Sequence, residues 1–124
     1  MNLTDHLYAD ILVLAPAGRL DHETCEAFRA GLEPHLQAAK GTRRAIVLDL
    51  SRLEYVSSAG LRCFMVAAQQ AESQGGKIVV AGPRPVVDEI FQISRFNLLF
   101  RIYPTVREAL AALSPAAAAA FDER

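Results

Sequence analysis

The sequence predicts an α/β fold built as a single domain, and three observations carry that expectation. Ala45-Ile46-Val47-Leu48-Asp49-Leu50 is a nearly unbroken apolar run rich in β-branched residues, the pattern of a strand buried on both faces of a parallel sheet. From Ala59 the spacing of apolar residues changes to helical, with Leu61, Phe64, Met65, Ala68 and Ala71 on one stripe. Lys77-Ile78-Val79-Val80-Ala81 then returns to a strand pattern, closed by Gly82-Pro83. Strand–helix–strand alternation of this kind builds parallel pairs.

The other elements fall into place around this centre. Ile11 to Ala15 reads as a strand, with Pro16 and Gly18 punctuating its end. A turn near Ala9-Asp10 divides the opening stretch into two short strands, which add an antiparallel edge. Asp21 is a good helix N-cap, and Cys25, Phe28, Leu32 and Leu36 follow at spacings of three and four. Gly31 and Pro34 are awkward within that stripe, so a kink or a broken last turn is expected there. Gly41 suits a left-handed cap. Gly75-Gly76 ends the second helix, and Pro85 opens a short third one carrying Val86, Val87, Ile90 and Phe91. Phe100 to Tyr103 is a last short strand, and Pro104-Thr105 starts a fourth helix with Val106, Ala109, Leu110 and Leu113. Residues 1–113 form the domain. Residues 114–124, alanine-rich, are expected to fray, because a short isolated helix is marginal in water.

Composition narrows the function. The chain has 124 residues, 22% of them charged, and a formal net charge of −1. Direct nucleic-acid binding normally needs a basic stripe, and Arg43-Arg44 alone does not make one. No apolar run reaches the roughly 18 residues of a membrane span, and the start lacks a signal-peptide pattern. The expectation is a cytoplasmic protein with no membrane insertion. Cys25 and Cys63, without further ligands at zinc spacing, read as two reduced, partly buried thiols.

The catalytic templates fit poorly. Ser58-Ala59-Gly60 supplies half of a nucleophile elbow, but Val56 stands where the first glycine should be, and His6, His22 and His35 all come too early. Gly75-Gly76-Lys77 follows a helix and is no phosphate loop. Asp49 lies inside its strand and reads as a partner for neighbouring backbone. No catalytic residue, metal site or cofactor is expected.

What remains is a pair of serines, Ser57 and Ser58, where a buried strand hands over to an amphipathic helix. Either could be a simple N-cap, and exposed amides there also attract anions. Projection at about 100° per residue sets Arg62, Cys63 and Val66 on the outward side of that helix, beside the serines. They read equally as a docking surface or as ordinary surface residues.

Val47-Leu48-Asp49-Leu50-Ser51 followed by Tyr55-Val56-Ser57-Ser58-Ala59-Gly60-Leu61 resembles the signature of STAS domains, the anti-sigma factor antagonist family. Gly18-Arg19-Leu20-Asp21 resembles the family's turn before the first helix. The resemblance spans about Leu7 to Leu113. It implies a mixed sheet of four to five strands flanked by about four helices. It also implies a phospho-switch. An anti-sigma factor with serine-kinase activity modifies one serine, a PP2C-type phosphatase reverses this, and the dephosphorylated form captures the anti-sigma factor and frees a sigma factor. Alignment on Gly60-Leu61 puts Ser58 at the modified position. Ser57 then replaces an aspartate and Ala59 a second serine. Asp21, Ser57, Ser58, Gly60, Arg62, Cys63 and Val66 are the expected partner-binding residues, on a chain that is monomeric when free. Two other readings stay open: a STAS subunit of a stressosome-like or lipid-transport complex, and a small nucleotide-binding protein or enzyme.

Overall fold

The central strands of the sheet bury both of their faces, and their side chains divide between two cores. The computed structural model describes residues 2–39 and 45–124. Strands β1 (Asn2–Tyr8) and β2 (Ile11–Leu20) form an antiparallel hairpin around Ala9-Asp10, with Ala9 at a φ of 55°. Helix α1 (Cys25–Ala39) leads to β3 (Ala45–Asp49), β4 (Leu53–Val56) and α2 (Ser58–Ser73). Then come β5 (Lys77–Ala81), α3 (Pro85–Ile93), a 3-10 turn at Phe96–Leu98, β6 (Ile102–Tyr103), α4 (Val106–Leu113) and α5 (Pro115–Asp122). The sheet order is β1-β2-β3-β5-β6, and every pair except the opening hairpin is parallel.

Alternation along each strand sorts the residues. In β3, Ile46 and Leu48 face one side while Ala45 and Val47 face the other. In β5, Ile78 and Val80 oppose Val79 and Ala81 in the same way. The first side is covered by α1, α2 and α3. A chain of aromatic contacts runs through it: Phe28 on Phe64 at 5.5 Å, Phe64 on Phe96 at 6.1 Å, and Phe96 on Phe100 at 4.5 Å between ring centroids. Full burial of each such ring is worth about 1.5–3 kcal/mol. The second side is covered by α4 and α5.

Several elements depart from the sequence expectation, each for a physical reason. Strand β2 does not end at Pro16 or Gly18 but runs to Leu20. At Gly18, which has a φ of 91°, its register shifts, and its last residues pair in parallel with β4. That four-residue strand was not expected as a separate element. Helix α1 continues through Pro34 to Ala39. Pro34 and Ala30, whose carbonyl loses its amide donor, are both exposed, so water can take the bond's place. Gly31 has its own reason: a Cβ there would lie 2.9 Å from the Leu3 side chain on β1. The alanine-rich segment is folded rather than frayed. Ala117 and Ala118 are buried, Phe121 meets Tyr8 edge-on at 5.3 Å, and Arg107 pairs with Asp122 at 2.9 Å. Gly41 and the Arg43-Arg44 pair lie outside the described residues.

Candidate functional site

The serines sit where β2, β4 and α2 converge. Leu20, the last residue of β2, pairs with Val56, the last of β4. The Leu20 carbonyl accepts the Ser57 amide at 2.9 Å. The chain turns into α2 directly over this junction, and Gly60 permits it. A Cβ on Gly60 would lie 2.6 Å from the Leu20 carbonyl oxygen and 2.8 Å from Val56 Cγ2. Gly60 is itself buried.

The two serines have different surroundings. Ser57 is the N-cap of α2: its Oγ accepts the Gly60 amide at 3.2 Å, and its carbonyl accepts the Leu61 amide at 2.9 Å. Ser58 is the first helical residue and is exposed. Among the described residues, no side-chain hydrogen bond involves it. One hydroxyl is committed to structure, and its neighbour is open to a reactant.

The Asp21 turn borders the same junction. Asp21 Oδ1 accepts the amides of Glu23 at 3.0 Å and Thr24 at 3.2 Å, fixing the turn that leads into α1. Thr24 Oγ1 accepts the Asp21 amide at 3.0 Å and donates to the Arg19 carbonyl at 2.9 Å. The Arg19 guanidinium lies 4.5 Å over the Tyr55 ring and 3.9 Å from Asp21 Oδ2. Arg19 and Tyr55 are neighbours only because β2 and β4 pair in that register. Both lie in the motifs quoted from the sequence, which assign neither a role.

Along α2, Ser58, Arg62 and Val66 follow at intervals of four, share one face and are exposed, Val66 at 44%. Cys63 requires a correction. The projection set it on the outward side, but it is 8% exposed and packed in the core. Met65, expected on the core stripe, is 37% exposed. The inward face of α2 is instead Gly60, Cys63, Phe64, Ala67 and Ala71. Close seating at Gly60 sets the helix's rotation, and α1 covers one flank. Cys63 and Ala67 meet Leu32 and Leu36 in a seam that Val66 borders. Across its rim Gln70 donates to Glu33 at 3.3 Å, and hydrogen bonds from Gln37 and Gln70 lower the Glu33 carboxyl below its ordinary range. Burial pushes the Cys63 thiol up to about 12.

The strand end below carries Asp49, whose Oδ1 accepts the Ser51 amide at 3.0 Å. Among the described residues there is no cluster of three or more His, Cys, Asp or Glu that could hold a metal ion, and no helix long and apolar enough to cross a membrane.

Known proteins share this architecture. The STAS domain family model matches residues 4–109. An anti-sigma factor antagonist of Bordetella bronchiseptica, BtrV, is 38% identical over 112 residues, covering 90% of this chain and 93% of its own. The anti-sigma F factor antagonist of Paenibacillus polymyxa is 27% identical over 103 residues, covering 83% and 86%. Among solved structures, an anti-sigma factor antagonist from Thermotoga maritima superposes with a TM-score of 0.79 at 23% identity, covering 89% of this chain and 92% of that one. SpoIIAA in its unphosphorylated form gives 0.72 at 22% identity, covering 90% and 96%. The two structural matches share the fold, and the family model and the Bordetella relative extend over nearly all of it. The chain therefore belongs to the STAS domain family.

Proposed function

We propose that this chain is an anti-sigma factor antagonist, a binding module without catalysis of its own, controlled by phosphorylation of Ser58. The observation that carries the reading is the division of labour between the serines: Ser57 caps the helix, and Ser58 offers an exposed hydroxyl. Relatives named as anti-sigma factor antagonists support it from outside the chain. In this reading an anti-sigma factor with serine-kinase activity modifies Ser58 in the cytoplasm, and a PP2C-type phosphatase restores it. The dephosphorylated form captures the anti-sigma factor and so releases a sigma factor. Asp21, Ser57, Ser58, Arg62 and Val66 form the docking face. Gly60 and Cys63 lie beneath it and shape it from below.

The test is a labelling experiment. The cognate kinase with ATP labels wild type and not Ser58→Ala. Label persisting in that variant, mapped to Ser57, would overturn the assignment.

A further inference from the structure

The sheet face opposite the serines is not fully covered. Ile11, Val13 and Ala15 follow one another on that face of β2, and the second core buries Ile11 and Val13 but leaves Ala15 partly open. The gap is a cavity of about 330 Å³ between β1, β2, the turn after β3 and the ends of α4 and α5. A volume of that order suits a small organic ligand. Tyr8, Phe121, Val13 and Val106 give it an apolar, partly aromatic wall. Arg52 and Arg124, both exposed, line it too. Arg124 is already oriented: its guanidinium lies 3.7 Å over the Phe121 ring and donates one N–H to the Phe121 carbonyl at 2.8 Å. Its other N–H groups remain for a ligand. Among the described residues, Arg52 has no side-chain hydrogen bond or ion pair. The carboxylate in the lining is Asp49, whose Oδ1 accepts the Ser51 amide at 3.0 Å. Two fixed positive charges thus stand against one negative, an excess that a monoanion cancels.

We propose that this cavity is a binding site for a small aromatic carboxylate, a flat apolar body carrying one negative charge. The carboxylate takes N–H bonds from Arg52 and Arg124, since a guanidinium presents its donors in a planar fork that matches two carboxylate oxygens. The ring packs among Tyr8, Phe121 and Val13, where aromatic neighbours favour an edge-to-face or offset approach. His6 and Thr4 complete the polar lining. Asp49 sets the limit on charge, because a dianion would overshoot the positive excess and meet that carboxylate unscreened. A bound ligand ties the end of α5 to β1 and to the turn after β3, so the folded chain gains stability with ligand concentration by mass action. The site lies across the sheet from α2 and goes beyond the anti-sigma factor reading, because nothing in it requires Ser58 or a partner.

The experiment titrates the full chain with 2-naphthoate, read by calorimetry and by NMR. Binding is expected to saturate at a single site, with shifts centred on Thr4, His6, Tyr8, Val13 and Phe121, and the melting temperature should rise with ligand concentration. The uncharged analogue 2-naphthalenemethanol, with the same ring body, should bind at least about tenfold more weakly, as loss of charge-assisted hydrogen bonds requires. Arg52→Gln and Arg124→Gln should each weaken naphthoate binding at least about tenfold while the unliganded melting temperature holds. Should either variant fold poorly, the comparison of acid and alcohol on wild type still decides. No saturable binding to wild type, equal affinity for the alcohol, shifts centred beside α2 instead, or unchanged affinity in either arginine variant would each overturn the proposal.

Discussion

A methyl group added at Gly60 would meet the Leu20 carbonyl oxygen at 2.6 Å, and a backbone oxygen at a strand end cannot step aside. Gly60→Ala is therefore expected to lift α2 from the β2–β4 junction and destabilise the domain by about 1–3 kcal/mol, the usual range for overpacking. The loss is read from the urea unfolding midpoint. Cys63 gives a second expectation at this scale. Its thiol is raised from 9.0 to about 12 in the folded state, so above pH 9 the unfolded chain releases its proton first. The unfolded state then binds fewer protons, and stability falls as pH rises. The contribution is intact below about pH 9 and is lost progressively toward about pH 12. Unfolding midpoints measured on either side of pH 9 should fall more for wild type than for Cys63→Ala. Ser57 and Ser58 were both visible in the sequence as residues at a strand-to-helix handover. Which of them caps the helix was not, because that depends on where one oxygen points relative to the Gly60 amide. The stacking of Arg19 on Tyr55 was hidden for a related reason: it exists only through a register between strands far apart in the chain.

Helix α2 links the capping serine to the proposed docking face, and its start depends on one side chain. Ser57→Ala should cost about 1 kcal/mol, the usual worth of a lost N-cap, and Ser58→Ala should stay within about 0.5 kcal/mol of wild type. Thermal and urea unfolding of the two variants side by side measure the contrast. The helix's extent and its stop at Gly75 were legible from periodicity and glycine placement. Its rotation was not. A projection knows the angles between residues of one helix but not which flank a neighbour covers, and α1 along that flank draws Cys63 inward and leaves Met65 half open. The same limit explains β2. Pro16 and Gly18 are ordinary strand-ending signals, yet here the irregularity at Gly18 lets one strand change partners and continue. For α5, alanine content spoke only of weak intrinsic stability. Burial of Ala117 and Ala118 is a tertiary effect that propensity cannot register.

At the scale of the whole molecule, the layered α/β architecture was legible because β3 and β5 are apolar on both faces, which only a sheet covered on two sides satisfies. The sheet and its two cores also bear on how phosphate would act. A phosphoserine adds about −1.5 to −2 charge near neutral pH. At the exposed start of α2 that charge meets free amides, an interaction of roughly 0.3–1 kcal/mol, and no buried group has to move. Phosphorylated protein should keep its circular dichroism and melting temperature, with NMR shifts confined to Tyr55 through Val66 and the Asp21 turn. Its affinity for the anti-sigma partner should fall at least about tenfold, about 1.4 kcal/mol, because the phosphate would have to shed water to dock. Shifts spreading into the sheet at Val47 and Val79 would point to a refolding switch instead. The bond from the Ser57 amide to the Leu20 carbonyl has a further consequence. It makes the presentation of Ser58 depend on a strand that leaves the ribosome long before the serine does. A nascent or unfolded chain carries the same serine but no platform for it. A kinase that reads this surface would pass over such chains, and the phosphate count in a cell would tally folded copies of the protein rather than all of them.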